Sequence, residues 1–137
     1  NEFVADYKEN GNVMKENFMK ILVLDDLDSR LKIFKENIEQ KLNAINSTDY
    51  AKTADEAIEF LKKNLDYDYI FLDRDLGDNV PSGEDVVSYI INNNYPKENV
   101  GIIVHSWNIP AGKKMCSELE AAGYHCIYLP GAWLILG

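Results

Sequence analysis

The chain has 137 residues, of which 46% are hydrophobic, enough for one domain with its own apolar core. Its formal net charge of −9 argues against binding to duplex nucleic acid, because proteins that bind duplexes need a basic surface to displace counterions from the phosphates. No apolar run approaches the roughly 20 residues of a membrane span, and no basic-then-apolar secretion signal begins the chain, so no membrane partner is expected.

Residues 1–18 show weak periodicity and are predicted to be an N-terminal extension or leader, followed by one domain over 19–137. Within that domain, short apolar runs alternate with amphipathic segments, which is typical of strands and helices in turn. Strands are predicted at 20–24, 47–51, 69–72, 100–104 and 126–129. Helices are predicted after Asp28 or Ser29, after the capping pairs Thr53 with Glu56 and Ser82 with Asp85, and from Pro110 to a C-terminal Gly123.

Strands that alternate with helices predict a parallel α/β sheet with right-handed crossovers. For five strands we expect the flavodoxin-like order 2-1-3-4-5, in which the carboxyl ends of strands 1, 3 and 4 are neighbours. Open α/β sheets bind ligands at that edge. Cys116 and Cys126 form neither a CxxC motif nor a cluster with histidine, and are interpreted as buried thiols of a cytoplasmic protein.

Polar side chains follow each of these three strands. The first strand runs into Asp25 and Asp26, the third into Asp73, and the fourth into the run 105–108, His-Ser-Trp-Asn. A single Asp after a strand is usually a turn former or a helix cap. Three such carboxylates at one sheet edge favour a metal or phosphate site instead, because Mg²⁺ takes oxygen ligands from a few carboxylates together with water and phosphate.

Other residues near these strand ends each have two interpretations. Asp75 offers its side chain to an ion or only its backbone carbonyl. Arg74 is a solvated loop residue or a bidentate phosphate ligand. His105 is a satisfied core group or, with an ordinary pKa of about 6.5, a general acid or base. Asn108 caps the following helix or binds phosphate, and Trp107 packs in the fold or stacks on a base.

The acidic pair Asp25 and Asp26, together with Asp73 and Ser106, resembles the receiver domain of two-component response regulators. This resemblance implies that the three carboxylates hold Mg²⁺, that Asp73 accepts a phosphoryl group, and that the Ser106 hydroxyl contacts it. Two features depart from that pattern. The lysine that receivers carry at the end of strand 5 has no counterpart in residues 127–131, and the fifth helix is expected to be missing.

Longer motifs are similar to those of the cyclic-phosphate-processing receiver domains. The run 73–77, Asp-Arg-Asp-Leu-Gly, resembles the D-H-D-L-G motif of that family, with Arg74 in place of its histidine. The run 105–108 matches the H-S-x-N motif in full, and the helix start at 82–87 is also similar. The likeness covers roughly residues 20–129 and implies a receiver-like three-layer sandwich.

The resemblance favours metal-assisted hydrolysis of a cyclic phosphate, such as a nucleotide-derived 2′,3′-cyclic phosphate. In this hypothesis Mg²⁺ or Mn²⁺ is held by four carboxylates, Asp25, Asp26, Asp73 and Asp75. Asp73 and His105 are the catalytic candidates, and the phosphate ligands are Arg74, Ser106 and Asn108. Two alternatives stay open: a phospho-accepting receiver that switches at Asp73, and a module that sequesters a cyclic nucleotide without turnover.

A missing fifth helix predicts that apolar side chains of strands 1, 3 and 5 face water on one side of the sheet. Two segments could cover them. One is the N-terminal segment, with Phe3, Val4, Tyr7 and Val13. The other is a second subunit docking through Trp133, Leu134 and Ile135. The denser apolar run at the C-terminus favours a homodimer.

Overall fold

The computed structural model describes residues 19–41, 46–74 and 82–130. Strands and helices alternate along these segments. The strands are β1 (Met19–Leu24), β2 (Asn46–Ala51), β3 (Tyr69–Leu72), β4 (Gly101–Val104) and β5 (His125–Tyr128). The helices are α1 (Asp28–Lys41), α2 (Ala54–Lys63), α3 (Gly83–Asn92) and α4 (Ile109–Ala121). In these segments no helix is long and apolar enough to cross a membrane.

The strands form one parallel sheet in the order β2-β1-β3-β4-β5, which confirms the predicted order. Leu24 of β1 pairs with Leu72 of β3, and Leu72 pairs with Val104 of β4. Three strands therefore end level with one another, side by side. Each predicted strand agrees with the observed one to within one residue at either end, and long apolar side chains mark the buried strands β1, β3 and β4.

Two helices begin with the predicted capping boxes. At α2 the Thr53 hydroxyl accepts a hydrogen bond from the Glu56 amide at 3.1 Å, and the Glu56 carboxylate accepts one from the Thr53 amide at 3.2 Å. At α3 the Ser82 hydroxyl accepts from the Glu84 amide at 3.2 Å, and the Asp85 carboxylate accepts from the Ser82 amide. These side chains satisfy helix N–H groups that lack an intrahelical partner.

The two faces of the sheet carry cores of unequal size. The larger core packs β1, β3 and β4 against α2, α3 and α4. The smaller core lies on the α1 side, where Phe34 meets Phe71 edge-on with ring centroids 5.3 Å apart, and it also includes Ile21, Val23 and Ile103. Because strand side chains alternate between faces, the next odd-numbered residues after these three strands also point to the α1 side.

The apolar side chains on this smaller face correct one expectation. Ile21 and Val23 of β1 and Phe71 of β3 are buried, so the prediction that strands 1 and 3 expose apolar surface is wrong. Ile127 of β5 is 56% exposed, as expected for strand 5. The predicted covering segments and the place of a fifth helix, residues 1–18 and 131–137, lie outside the described residues.

Cys116 of α4 and Cys126 of β5 are free thiols whose Sγ atoms lie 2.7 Å apart. Cys116 is buried and Cys126 is half-buried. Burial raises the pKa of both thiols, so they stay protonated near neutral pH. The interpretation of both residues as thiols fits these observations.

Candidate functional site

Asp25, Asp73 and His105 each occupy the first position after one of the three adjacent strands. Their backbones extend the sheet by one rung: the Asp73 amide donates to the Leu24 carbonyl at 3.1 Å, and the His105 amide donates to the Leu72 carbonyl at 2.9 Å. One carboxylate oxygen from each aspartate and one ring nitrogen of the histidine lie within 4.8 Å of one another. Parallel strands in this register thus bring three donor side chains together.

This group of three, Asp25, Asp73 and His105, is almost completely buried. Their exposed fractions are 0%, 3% and 1%. On the α1 side the ring of Phe34 lies edge-on to the His105 ring, with centroids 5.2 Å apart. Charges buried beside apolar groups lose their hydration, so they must be paired with opposite charge or with protons.

Arg30, in the first turn of α1, supplies that opposite charge. Its Nε lies 3.0 Å from Asp25 Oδ2, and its Nη2 lies 3.3 Å from Asp73 Oδ2. Nη2 is also 3.7 Å from Asp26 Oδ1. Arg30 is absent from the predicted site residues, although it lies four positions before Phe34, a spacing that puts both residues on one face of the helix.

His105 has one satisfied and one unsatisfied ring nitrogen. Nε2 lies 3.2 Å from Asp25 Oδ2, whereas the buried Nδ1 has no hydrogen-bond partner within the described segments. A buried polar atom without a partner costs on the order of 1–3 kcal/mol. Native proteins keep few such atoms, and those that persist are often functional. This nitrogen therefore supports a role for His105 beyond packing.

Burial raises the pKa of Asp73 to about 6. The neighbouring charge of Asp25 adds to the rise, whereas His105 and Arg30 oppose it. A carboxyl group with a pKa this close to neutral can gain or lose its proton under physiological conditions. Carboxyl groups with such raised pKa values are common at functional sites.

Two carboxylates and an imidazole make a donor set that fits a divalent cation. Carboxylate oxygens suit Mg²⁺ and Mn²⁺ alike, whereas an imidazole nitrogen is a softer donor than Mg²⁺ prefers. Of the two ions predicted, this mixed set favours Mn²⁺. The buried Nδ1 of His105 has no hydrogen-bond partner in the described segments, which is consistent with a ligand that binds beside it.

Asp26, Asp75 and Arg74 were also predicted to belong to the site, and none of them is one of the three clustered residues. The side chain of Asp26 is 31% exposed and is not one of the three clustered residues. Asp75 lies outside the described residues. Arg74 directs its Nε to Glu84 Oε1, 3.1 Å away at the start of α3. Arg74 therefore has a carboxylate partner on the helix that follows the loop.

Ser106 and Asn108 shape the turn into α4. The Ser106 Oγ accepts a hydrogen bond from the Asn108 amide at 3.1 Å, and Asn108 Oδ1 accepts one from the Ala111 amide at 3.2 Å. Asn108 thus caps α4, which was one of its two predicted roles. The Tyr128 hydroxyl donates to the Ser106 carbonyl at 2.8 Å. Trp107 is 57% exposed, so most of its ring is open to a partner.

Gly83 determines how closely α3 approaches Asp73. A Cβ at this position would overlap the Asp73 carbonyl oxygen and press on the Arg74 backbone. We expect Gly83→Ala to destabilise the protein by about 1–3 kcal/mol, because backbone atoms must move to make room. Urea denaturation measures the change. Ser88→Ala, at an exposed position of the same helix, is the control and should change stability by less than about 0.5 kcal/mol. Equal stability of the two variants would contradict the close approach.

Solved structures of response regulators share this fold. The phosphorylated cyanobacterial phytochrome response regulator RcpA is 17% identical, with a TM-score of 0.62 over 87% of this chain and 86% of its own. The isolated receiver domain of RcsB from Salmonella enterica serovar Typhimurium, with phosphomimetic BeF3-, is 24% identical, with a TM-score of 0.59 over 86% and 82%. A LuxR-family DNA-binding response regulator from Staphylococcus aureus is 11% identical, with a TM-score of 0.61 over 86% and 92%. These similarities establish the receiver-like, flavodoxin-like fold.

Sequence comparisons are more specific. No curated protein sequence matches the chain. Residues 19–121 match the family model described as the cyclic-phosphate processing receiver domain. That range is well over half of the chain and contains the three clustered side chains. The resemblance inferred from the motifs at 73–77 and 105–108 is confirmed.

Proposed function

Because the chain belongs to the cyclic-phosphate-processing receiver domain family, we propose that it hydrolyses a cyclic phosphate with a divalent cation held by Asp25 and Asp73 beside His105. The observation that carries this proposal is the buried cluster in which these donors, from three strands, lie within 4.8 Å. The substrate class is a nucleotide-derived 2′,3′-cyclic phosphate or a related cyclic diester. Mn²⁺ or Mg²⁺ is the cofactor.

A divalent cation at this position supplies positive charge to the phosphate and makes a water molecule more acidic. Asp25 and Asp73 contribute oxygen ligands. Asp25 also contacts Nε2 of His105 at 3.2 Å, which orients the ring. The unpaired Nδ1 of His105 then holds the proton that the attacking water loses. In the balanced reaction a water oxygen bonds to phosphorus, one ring P–O bond breaks, and the proton passes through His105 to the leaving oxygen.

Three residues are assigned to the phosphate oxygens. The Ser106 hydroxyl accepts the Asn108 amide, so its own hydrogen is the group that donates to phosphate. Asn108 uses Oδ1 for the helix cap, which leaves Nδ2 as the donor for phosphate. Arg74 would exchange Glu84 for a phosphate oxygen, with which a guanidinium forms strong charge-assisted hydrogen bonds. Asp26 and Asp75 complete the predicted set of metal-binding carboxylates, and Asp75 lies outside the described residues.

A phospho-accepting receiver is the second candidate. It is favoured by the position of Asp73, at the end of β3 and beside Asp25, in a fold shared with the phosphorylated regulator RcpA. It is disfavoured by the sequence after β5, where Leu129 and Pro130 occupy the region in which receivers carry a lysine. A module that sequesters a cyclic nucleotide without turnover is the third candidate, and it would use the same residues.

One experiment separates these three functions. The protein is incubated with 2′,3′-cyclic and 3′,5′-cyclic nucleotides and Mn²⁺ or Mg²⁺, and the products are followed by mass spectrometry. We expect a cyclic phosphate to gain one water, and Asp73→Ala to abolish the reaction. In parallel, acetyl phosphate should give little stable acyl phosphate. Near-stoichiometric labelling of Asp73 without hydrolysis would establish the receiver instead, and tight binding of an unchanged nucleotide would establish the sequestering module.

We further propose that the protein acts in the cytoplasm, where Cys116 and Cys126 stay reduced. Its proposed partner is a small phosphorylated ligand, since the net charge of −9 disfavours duplex nucleic acid. A homodimer is a further proposal. The exposed side chain of Ile127 on β5 is the described apolar group that such a contact would cover.

A further inference from the structure

Arg30 lies where a divalent cation at the clustered residues would have to bind. Its guanidinium bridges the two clustered carboxylates, with Nε 3.0 Å from Asp25 and Nη2 3.3 Å from Asp73. Both are the oxygen donors that the proposed cation would use. The Arg30 side chain is only 15% exposed, so this position is enclosed by the fold and is not one transient arrangement of a surface residue.

The hydrogen bonds of Asp25 show why a cation and Arg30 exclude each other. Oδ1 accepts from the Leu27 amide at 3.0 Å and from Arg30 Nε at 3.1 Å. Oδ2 lies 3.2 Å from His105 Nε2 and 3.0 Å from Arg30 Nε. The single Nε–H group of Arg30 thus reaches both carboxylate oxygens, and each oxygen has one further contact, from Leu27 or His105. A cation that binds Asp25 therefore competes with Arg30 at either oxygen.

Charge leads to the same conclusion. Asp25, Asp26 and Asp73 place three carboxylates around one guanidinium, and no other lysine or arginine forms an ion pair with them in the described segments. A small divalent cation among these carboxylates would lie close to the positive charge of Arg30, and repulsion at such distances is strong where water is excluded. Without Arg30, the same carboxylates repel one another and bind a cation more tightly.

We propose that Arg30 is a built-in competitor of the divalent cation, which binds Asp25 and Asp73 only by displacing the guanidinium. Arg30 then determines the cation concentration at which the site fills, and it keeps the buried carboxylates neutralised when no cation is bound. The link to turnover rests on the proposed function, whereas the competition for the carboxylates does not.

The test measures Mn²⁺ binding to the whole protein by isothermal titration calorimetry. Arg30→Gln should lower the dissociation constant for Mn²⁺ by about tenfold, a coupling of usual size between two competing ligands. The same variant should melt at a lower temperature than wild type without metal, and should gain more from added Mn²⁺. Arg30→Lys keeps the charge but cannot bridge two carboxylates with a planar fork, and should lie between the two.

Lys32→Gln is the matched control, because it removes one positive charge from an exposed position of the same helix. Its Mn²⁺ affinity should equal that of wild type. Equal or weaker Mn²⁺ binding by Arg30→Gln would overturn the inference, and so would an equal gain in Lys32→Gln, which would indicate net charge alone. Tighter Mn²⁺ binding by Arg30→Gln, together with no hydrolysis of any cyclic phosphate by wild type, would leave the inference intact and overturn the proposed function.

Discussion

His105→Ala should lower the rate of cyclic phosphate hydrolysis by about 10²- to 10⁴-fold, the usual contribution of a positioned general acid or base. The loss should appear in kcat, with KM within a few-fold of wild type, because the proton transfer takes place in the transition state. The structural reason is the pairing of His105 Nε2 with buried Asp25, which leaves Nδ1 without a partner.

Steady-state kinetics with saturating Mn²⁺ measure this effect, and His125→Ala is the control, since His125 is the other histidine and is exposed on β5. That control should retain full activity. If His105→Ala also retains it, His105 belongs to the core and not to the reaction. If calorimetry shows Mn²⁺ affinity falling as steeply as the rate, His105 acts as a metal ligand and not as the proton carrier.

Without a divalent cation, Asp73→Asn should be more stable than wild type at pH 8, although it removes a residue of the proposed site. Burial raises the pKa of Asp73 to about 6 in the folded protein, against about 3.9 for an unperturbed Asp. The folded state thus binds this proton more tightly than the unfolded chain does. The resulting stability is complete below about pH 4 and is lost as the pH rises through 6.

The size of the effect follows from the shift of about two pKa units. Over the whole range it amounts to about 3 kcal/mol, and between pH 5 and pH 8 wild type should lose about 1 kcal/mol relative to Asp73→Asn. Urea denaturation at both pH values gives the difference. Asp55→Asn, at an exposed position of α2, removes the same charge and should show no such trend. A pH-independent difference between Asp73→Asn and wild type would mean that Asp73 is ionised throughout.

Most of the architecture was predictable because it depends on local patterns. Apolar runs marked the strands, and the pairs Thr53 with Glu56 and Ser82 with Asp85 marked two helix starts. The alternation of strands and helices then predicted the sheet order. Because parallel strands end at a common edge, the meeting of Asp25, Asp73 and His105 also followed from the order of the elements.

Which residues lie in the site depends on where their side chains point, and the sequence pattern does not give that information. Asp25 and Asp26 are adjacent in sequence, yet only Asp25 joins the buried cluster, whereas the Asp26 side chain is 31% exposed. Arg74 was expected at the phosphate, and the structure pairs it with Glu84, ten residues later. Asn108 had two predicted roles, and the hydrogen bond from Ala111 establishes the cap.

Arg30 is the clearest case of a role that only the tertiary structure assigns. From the sequence alone, an arginine in the first turn of an amphipathic helix would be predicted to be an exposed surface charge. Its contact with Asp73 joins residues 43 positions apart and requires that α1 pack over β1 and β3 with Phe34 facing Phe71. The residue pattern was sufficient to bring Asp25 and Asp73 to one edge of the sheet. Only the rotation of α1 about its axis, set by packing of the small core, brought a guanidinium among them.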